Sequence, residues 1–232
     1  MPTNNDWSSF EALANVVKAR RSVRGFTPEQ IPQTQLERLF AAAQHAPSWC
    51  NIQPWRAVVT RPPVTDRVTH ALMQEAQASP AQPDIPFPTE YPEPYLSHRR
   101  ACGYALYAAL GIERGDHATR RNAWLQNYKA FDAPHLAVIT QDARLGQYGT
   151  LDIGVWLGIV LSLAASLGID TCPMASIAAY PRPLRSLLSI PNDQVILMGL
   201  ALGRADPAHP ANDCRTDRGE LAANIRFASG SI

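Results

Sequence analysis

The sequence lacks the short motifs that mark several common enzyme classes. It contains no GxxxxGK[ST] phosphate-binding loop, no GxGxxG after a predicted strand, no HExxH zinc motif and no GxSxG nucleophile motif. Kinases, zinc proteases and α/β-hydrolases are therefore not indicated. If the protein is an enzyme, an organic cofactor is the expected source of its chemistry.

Paired cysteines and clustered histidines are also missing. The four cysteines, at positions 50, 102, 172 and 214, form no CxxC pair, and no two of the six histidines are spaced i,i+4. This pattern predicts neither a zinc ribbon nor a dithiol redox motif, and we expect no metal ligands. We expect free thiols in a reducing compartment.

Neither sign of charge predominates, and no segment reads as a membrane anchor. With 21 basic and 20 acidic residues the formal net charge is +1, so neither nucleic acid nor an anionic membrane is expected as a partner. Residues 1–9 lack the basic, apolar and small-residue order of a secretory signal. The apolar run 153–169 is shorter than the roughly 20 residues of a spanning helix and is interpreted as a buried helix. We expect a cytoplasmic protein with a small-molecule partner.

A chain of 232 residues with 46% apolar residues is expected to form one domain, residues 1–232, around one core. Its prolines are unevenly distributed, since eight of the twenty lie in residues 61–98. We therefore predict that most of this Pro-rich insert is neither helix nor strand. The insert is interpreted as a substrate lid or a dimer arm that wraps the surface.

Hydrophobic periodicity predicts helices and strands outside the insert. A first helix is predicted to end near Arg21, and a second to begin with a capping box of Thr34 and Glu37 and to end at 44–46. Further helices are predicted over 96–113, 119–128, 150–167 and 183–188, and strands over 55–60, 135–140, 169–172 and 194–203. Together these elements predict an α+β domain rich in helix.

Two segments near the N-terminus carry the strongest functional signal. The segment 20–24, RRSVR, places three guanidiniums and a hydroxyl within five residues, and arginine forks bind phosphate oxygens bidentately. The segment 47–54, PSWCNIQP, places a serine hydroxyl and two side-chain amides on a loop stiffened by prolines, which suits a heteroaromatic ring. Taken singly, such segments are more often a solvated helix end and an ordinary polar loop.

In order and spacing, the two segments resemble the FMN-dependent nitroreductase family, and the resemblance extends over residues 20–227. It is closest to nitrobenzoate-reductase-like members. The resemblance implies a nitroreductase-like fold, with a central mixed or antiparallel sheet surrounded by helices, and an intertwined homodimer that binds FMN at its interface. One departure is Trp49-Cys50, where the family often has a smaller Ser/Gly-Thr pair, so a bulky ring is expected near the flavin.

The resemblance also assigns the candidate FMN-binding residues. It implies that Arg20 and Ser22 hold the phosphate and the ribityl chain with Arg21 nearby, and that Arg24 faces the N1 and C2 carbonyl edge of the ring. The other candidates are Pro47, Ser48, Trp49 and Asn51 across the dimer interface, with Asn51 or Gln53 organising that loop; Pro173, Met174, Ala175 and Ser176 near flavin N5; Gln126 and Asn127, or Lys129, at the ribityl chain; and Arg215 and Arg218 in a C-terminal arm. No catalytic side chain is implied, because the flavin carries the chemistry.

The implied activity is NAD(P)H-dependent flavin oxidoreduction. NADH or NADPH would reduce the bound FMN, and a nitroaromatic compound such as nitrobenzoate, or a quinone, would then accept hydride equivalents in a ping-pong cycle. Two other interpretations remain open: a non-catalytic FMN carrier or redox sensor, and a relative that uses the flavin for reductive dehalogenation or consumes it.

Overall fold

A computed structural model describes residues 7–228 of the chain. In that range the helices are α1 Ser8–Ala19, α2 Gln33–Ala43, α3 Val64–Ala78, α4 Tyr95–Ala109, α5 His117–Leu125, α6 Gly146–Ser166, α7 Pro181–Leu188 and α8 Leu221–Asn224. The strands are β1 Arg56–Val59, β2 His135–Asp142, β3 Asp170–Met174 and β4 Gln194–Gly203.

The four strands form one sheet in the order β1-β2-β4-β3, and each neighbouring pair is antiparallel. Val58 lies opposite Val138 in the first pair, and Cys172 lies opposite Ala201 in the last. The strands β1 and β3 are therefore the edges of the sheet. This arrangement confirms the predicted α+β class and the antiparallel alternative for the sheet.

Helices cover both faces of the sheet because β2 is apolar on both sides. Leu136 and Val138 pack into a cluster with α3 and α7, whereas Ala137 and Ile139 pack into a second cluster with α2 and α6. Side chains alternate between the two faces of a strand, so successive residues of β2 enter different clusters. The sheet is thus the middle layer of three.

The Pro-rich insert is more regular than predicted. Residues 64–78 form α3, which buries Val68, Leu72 and Ala76 at helical spacing against the sheet. The prediction that most of 61–98 is neither helix nor strand was wrong, since two of the prolines lie at 62–63 and the other six between 80 and 94. The Pro-free stretch between them is long enough for about four helical turns.

The remainder of the insert, residues 79–94, follows the surface as expected and is anchored by polar contacts. Gln82 donates its backbone N–H to the carbonyl oxygen of Ala179 at 2.9 Å. The Asp84 carboxylate accepts the backbone N–H of Ile196 at 2.8 Å and pairs with Arg185 at 2.7 Å. These contacts tie the segment to α7 and β4.

The capping box predicted at the start of α2 is not formed. The helix begins at Gln33 after Pro32, and no described side chain caps its first turn. The Glu37 carboxylate instead accepts a hydrogen bond of 2.7 Å from Gln33 Nε2, an i,i+4 contact within the helix. The predicted end of the helix at 44–46 agrees with its last residue, Ala43.

The helix α6 is longer and less buried than predicted. It has 21 residues, and by length and apolar composition it could cross a membrane, a test that the core helices of soluble proteins also pass. The argument that this run is too short for a span was therefore wrong. The predicted burial holds for one face only, since Leu151 and Val155 are 63% and 41% exposed. One face packs on the sheet, and an apolar face remains open.

Candidate functional site

The RRSVR segment leaves the end of α1 and runs along the edge strand β3. Ser22 forms a parallel bridge with Thr171, and Val23 donates its backbone N–H to the carbonyl oxygen of Thr171 at 3.0 Å. Val23 is fully buried, whereas Ser22 and Arg24 on either side of it are half-buried. This pairing fixes the segment and directs the polar side chains away from the core.

The C-terminal segment is attached to the same place through Asn212. Its Oδ1 accepts the backbone N–H of Arg24 at 2.8 Å, and its Nδ2 donates to the carbonyl oxygen of Gly25 at 2.8 Å. A Cβ atom on Gly25 would collide with the His209 ring, so this close approach requires glycine. Arg215 Nη1 then donates to the carbonyl oxygen of Asn212 at 2.6 Å, which brings the C-terminal arginines toward RRSVR.

The two segments enclose a cleft of about 630 Å³, called the arginine cleft below. Its cationic lining residues are Lys18, Arg20, Arg21, Arg24, Arg215 and Arg218. No aspartate or glutamate lines it, and within residues 7–228 none of these cations forms a salt bridge. Like charges repel one another, so the cleft is electrostatically suited to an anion.

Arg21 carries one of five buried side-chain atoms that have no hydrogen-bond partner within residues 7–228. Its Nε atom is buried and has no hydrogen-bond partner among the described residues. A buried donor without a partner destabilises a fold by about 1–3 kcal/mol. A phosphate group, with several oxygens and a charge near −2, would accept hydrogen bonds from the guanidiniums that line the cleft and neutralise their charge.

Two thiols near the cleft, those of Cys172 and Cys214, are not activated as nucleophiles. Burial raises the pKa of Cys172 to about 11, although Arg24 and Ser22 act in the opposite direction. Burial also raises the pKa of Cys214, which lines the cleft together with Cys102. Cys172 and Cys214 are therefore protonated at neutral pH, which agrees with a cofactor as the source of the chemistry.

The second group of candidate residues lies beyond the far end of β3. Ser176 Oγ donates to Asn127 Oδ1 at 3.2 Å, and Asn127 Nδ2 donates to the carbonyl oxygen of Trp124 at 2.8 Å. The side chain of Met174 is buried in the core, so any contact with a cofactor would come from its backbone. Ala175, which follows it, is exposed.

The structure distinguishes the three residues before β2 that were predicted to contact the ribityl chain, Gln126, Asn127 and Lys129. The helix predicted over 119–128 ends at Leu125, and half-buried Gln126 begins a 3₁₀ stretch. Asn127 contacts Ser176, as described above. Lys129 instead lines a separate cleft of about 390 Å³ together with Asp132, so it does not join the same group.

The polar loop, residues 47–54, lies at the other end of α6. Trp49 donates its backbone N–H to both carboxylate oxygens of Asp152 at 3.1 Å, and the Trp49 ring lies 5.0 Å from the Tyr148 ring. Ala165, in contrast, borders the pocket next to Arg20 and Arg21. Asp152 and Ala165 are thirteen residues apart on α6, or about 20 Å along the helix axis. The loop and the arginine cleft therefore do not meet within one chain.

Sequence reasoning thus identified the residues of the arginine cleft but missed two side chains that organise the site. Asn212 lies three residues before Arg215 but had no assigned role. Asp152 was not considered, although it is the only charged residue between Arg144 and Asp170. An isolated charge in such an apolar run is the signal that would have found it.

Comparison with known proteins identifies the family. The model of the nitroreductase family matches residues 17–204, most of this chain. The chain belongs to the nitroreductase family. This confirms the resemblance inferred from RRSVR and the polar loop, both of which lie in the matched range.

Individual family members match over nearly their whole length. The nitrobenzene nitroreductase of Ectopseudomonas oleovorans is 32% identical over 93% of this chain and 96% of its own length. The FMN- and NADPH-dependent nitroreductase NfnB of Sphigopyxis sp. strain HMH has a TM-score of 0.90 at 33% identity, covering 94% of this chain and 99% of that one. The FMN-dependent nitroreductase NfnB of Mycobacterium smegmatis, solved in complex with NADPH, has a TM-score of 0.92 at 28% identity, covering 95% and 100%. These similarities confirm the nitroreductase-like fold.

Proposed function

We propose that this protein is an FMN-dependent NAD(P)H oxidoreductase that reduces nitroaromatic compounds or quinones. The observation that carries the proposal is the arginine cleft, whose six cations form no salt bridge within residues 7–228. Similarity to proteins named as FMN- and NADPH-dependent nitroreductases and as a nitrobenzene nitroreductase supports the cofactor and the class of acceptor.

The arginine cleft would hold the FMN phosphate. Arg20, Arg21 and Ser22 would provide donors from one side, and Arg215 and Arg218 from the C-terminal arm, with Lys18 adding positive charge. Charge-assisted hydrogen bonds contribute about 1.5–3 kcal/mol each, so several of them would retain the cofactor through many turnovers. When bound, FMN would supply the two-electron chemistry that moves hydride equivalents from NAD(P)H to an acceptor.

The remaining candidates would position the cofactor without acting as acids or bases. Arg24, held through its backbone by Asn212, would place a fixed positive charge beside the isoalloxazine ring. Ala175 and Ser176 would approach the ring from the end of β3, and the Asn127–Ser176 hydrogen bond would fix their orientation. Gln126 would lie next to Asn127 at the ribityl chain.

A homodimer with the cofactor at its interface is the second part of the proposal. Within one chain the α6 residues that border the polar loop and the arginines are about 20 Å apart along the helix axis, so Pro47, Ser48, Trp49 and Asn51 would contact FMN bound by a second copy. A two-fold axis would then create two equivalent sites.

Exposed apolar surfaces support such an assembly. Leu151 and Val155 leave an apolar face of α6 open, and most of the edge strand β1 is exposed. Near the C-terminus, Leu221, Ile225 and Phe227 are 63%, 51% and 78% exposed. An open sheet edge and an exposed apolar terminal segment suit exchange of segments between two subunits, as in an intertwined dimer.

The acceptor is expected to be a small aromatic molecule, and the donor NADPH or NADH. Trp49 is 60% exposed and would bring a large aromatic surface to the neighbouring site, which favours flat ring systems. We propose a cytoplasmic enzyme without nucleic-acid or membrane partners, in agreement with its balanced charge.

Anaerobic stopped-flow absorbance tests the proposed function. The purified holoprotein is mixed with NADH or NADPH, and 4-nitrobenzoate or a quinone is then added. We expect flavin bleaching followed by recovery that depends on the acceptor. Bleaching that is reversed only by oxygen would favour the carrier, sensor or flavin-consuming alternatives. A protein that binds no FMN would refute the proposal.

A further inference from the structure

We propose that Asp152 is a positioning residue that holds the polar loop in the conformation needed for cofactor binding. The contact that points to it is between the Asp152 carboxylate and the backbone N–H of Trp49, at 3.1 Å to each oxygen. The link to the cofactor rests on the proposed function, because it requires the loop to face FMN bound by a second subunit.

Asp152 occupies a position where an apolar residue would otherwise be expected. The core-facing stripe of α6 includes Gly149, Ile153, Trp156 and Val160, and Asp152 lies within it at 8% exposure. Within residues 7–228 this carboxylate has no salt-bridge partner. Burying a charge without a counter-ion destabilises a fold unless hydrogen bonds compensate. The hydrogen bond from the Trp49 N–H provides that compensation, and it attaches the loop to α6.

The loop that it contacts has an uncommon backbone conformation. Cys50, Asn51 and Gln53 have φ angles of 47°, 56° and 47°, in the left-handed region that residues other than glycine rarely adopt. Such conformations persist where the surrounding structure holds them, and they concentrate at functional sites. The loop therefore depends on contacts that restrain it.

Restraints within the loop do not by themselves fix its place on the protein. Gln53 donates its backbone N–H to Ser48 Oγ at 3.0 Å, and its Nε2 to the carbonyl oxygen of Asn51 at 3.1 Å. Both bonds join one part of the loop to another. Asp152 instead joins the first residue of the 3₁₀ turn Trp49–Asn51 to α6, much as a capping carboxylate binds the first N–H groups of a helix.

The Tyr148 ring reinforces the same attachment. It lies one turn before Asp152 on α6, and its centroid is 5.0 Å from that of Trp49. Residues four apart on a helix share a face, so the carboxylate and the ring hold the backbone and the side chain of Trp49 together. This would set the direction in which Ser48 and Asn51 face the neighbouring subunit.

Hydrogen–deuterium exchange and FMN titration of four variants test this role. Asp152→Ala and Asp152→Leu remove the acceptor, and leucine also suits the apolar stripe if alanine prevents folding. Asp152→Asn keeps one acceptor oxygen and removes the charge. Asp142→Ala is the matched control, because Asp142 also accepts a backbone N–H at the start of a 3₁₀ turn, from Arg144 at 2.9 Å.

Exchange is measured on FMN-free protein in peptides covering residues 48–53, and the FMN dissociation constant by flavin fluorescence. In Asp152→Ala or Asp152→Leu we expect loop exchange and the dissociation constant each to rise at least about tenfold, the size of one charge-assisted hydrogen bond. Asp152→Asn, whose neutral acceptor forms a weaker bond, should lie between wild type and Asp152→Ala in both. Asp142→Ala should leave both unchanged.

The outcomes separate this inference from the proposed function. Unchanged loop exchange in the acceptor-free variants, or raised exchange with unchanged FMN affinity, would overturn the positioning role. Equal losses in Asp152→Asn and Asp152→Ala would also overturn it, because charge would then matter instead of the acceptor. A wild-type protein that binds no FMN would reject the proposed function and with it the role in cofactor binding, while the exchange data would still show whether Asp152 holds the loop.

Discussion

Replacing Arg21 by alanine should weaken the binding of FMN much more than that of riboflavin, the same flavin without its phosphate. Arg21 lines the arginine cleft, and its Nε is a buried donor without a partner in the described chain. If the Arg21 guanidinium binds the phosphate from the cleft, its contribution is made only with the phosphorylated ligand.

The magnitude follows from the type of bond. A hydrogen bond to a charged group contributes about 1.5–3 kcal/mol, and each 1.4 kcal/mol changes a dissociation constant tenfold. The Arg21→Ala variant should therefore bind FMN roughly 10- to 150-fold more weakly. Riboflavin affinity should change less than about threefold, because the ring and ribityl contacts remain. The remaining cations of the cleft would keep FMN binding measurable.

Quenching of flavin fluorescence, titrated with FMN-free protein, measures both dissociation constants. Arg182→Ala serves as the control, since Arg182 is an exposed arginine paired with Glu75 at 2.5 Å and lies outside the cleft. It should bind both flavins like the wild type. Equal losses for FMN and riboflavin in Arg21→Ala would show a structural role, and no loss for FMN would remove Arg21 from the phosphate site. Either result would refute the reasoning.

Two further predictions concern stability. Burial, together with Arg61, lowers the pKa of His135, so the unfolded chain binds more protons than the folded chain near pH 6. Urea denaturation should therefore show the free energy of unfolding falling below about pH 6.5, by up to about 1.4 kcal/mol per pH unit. The His135→Gln variant should lose most of this dependence on pH. In Gly199→Ala the new Cβ would lie 2.6 Å from Ile177 Cγ1, and overpacking of about 1–3 kcal/mol should lower the thermal midpoint by several degrees. A pH-independent stability, or an unchanged midpoint, would contradict the respective prediction.

The sequence was sufficient to predict the bounds of elements that are set by dense apolar patterns or by the positions of prolines. The strand predicted over 194–203 coincides with β4, and α2 ends before Pro47 as expected. The same proline argument failed for 61–98 because it counted prolines and ignored their positions. A Pro-free stretch with apolar residues at 64, 68, 72 and 76 was already visible as one face of a helix.

The candidate site could be predicted only as separate pieces. The sequence alone indicates an anion site, because three arginines lie within five residues. The contact that brings Arg215 to them, however, passes through Asn212, which is 188 residues from Arg24. The left-handed conformations of Cys50 and Gln53 have no local signal, since neither residue is glycine. They depend on tertiary contacts that residue patterns do not encode.

The position of the two halves of the proposed site at opposite ends of α6 would link cofactor binding to subunit association. A single chain offers the arginine cleft, but the loop carrying Ser48 and Asn51 is about 20 Å away along the helix, so a lone subunit would bind the phosphate without those contacts to the ring. A ligand that touches both halves binds the dimer more tightly than the monomer, and by linkage it stabilises the dimer by the same factor. Asp152 would then connect these two functions, because the helix that offers an apolar face for association also holds the loop that completes the neighbouring site.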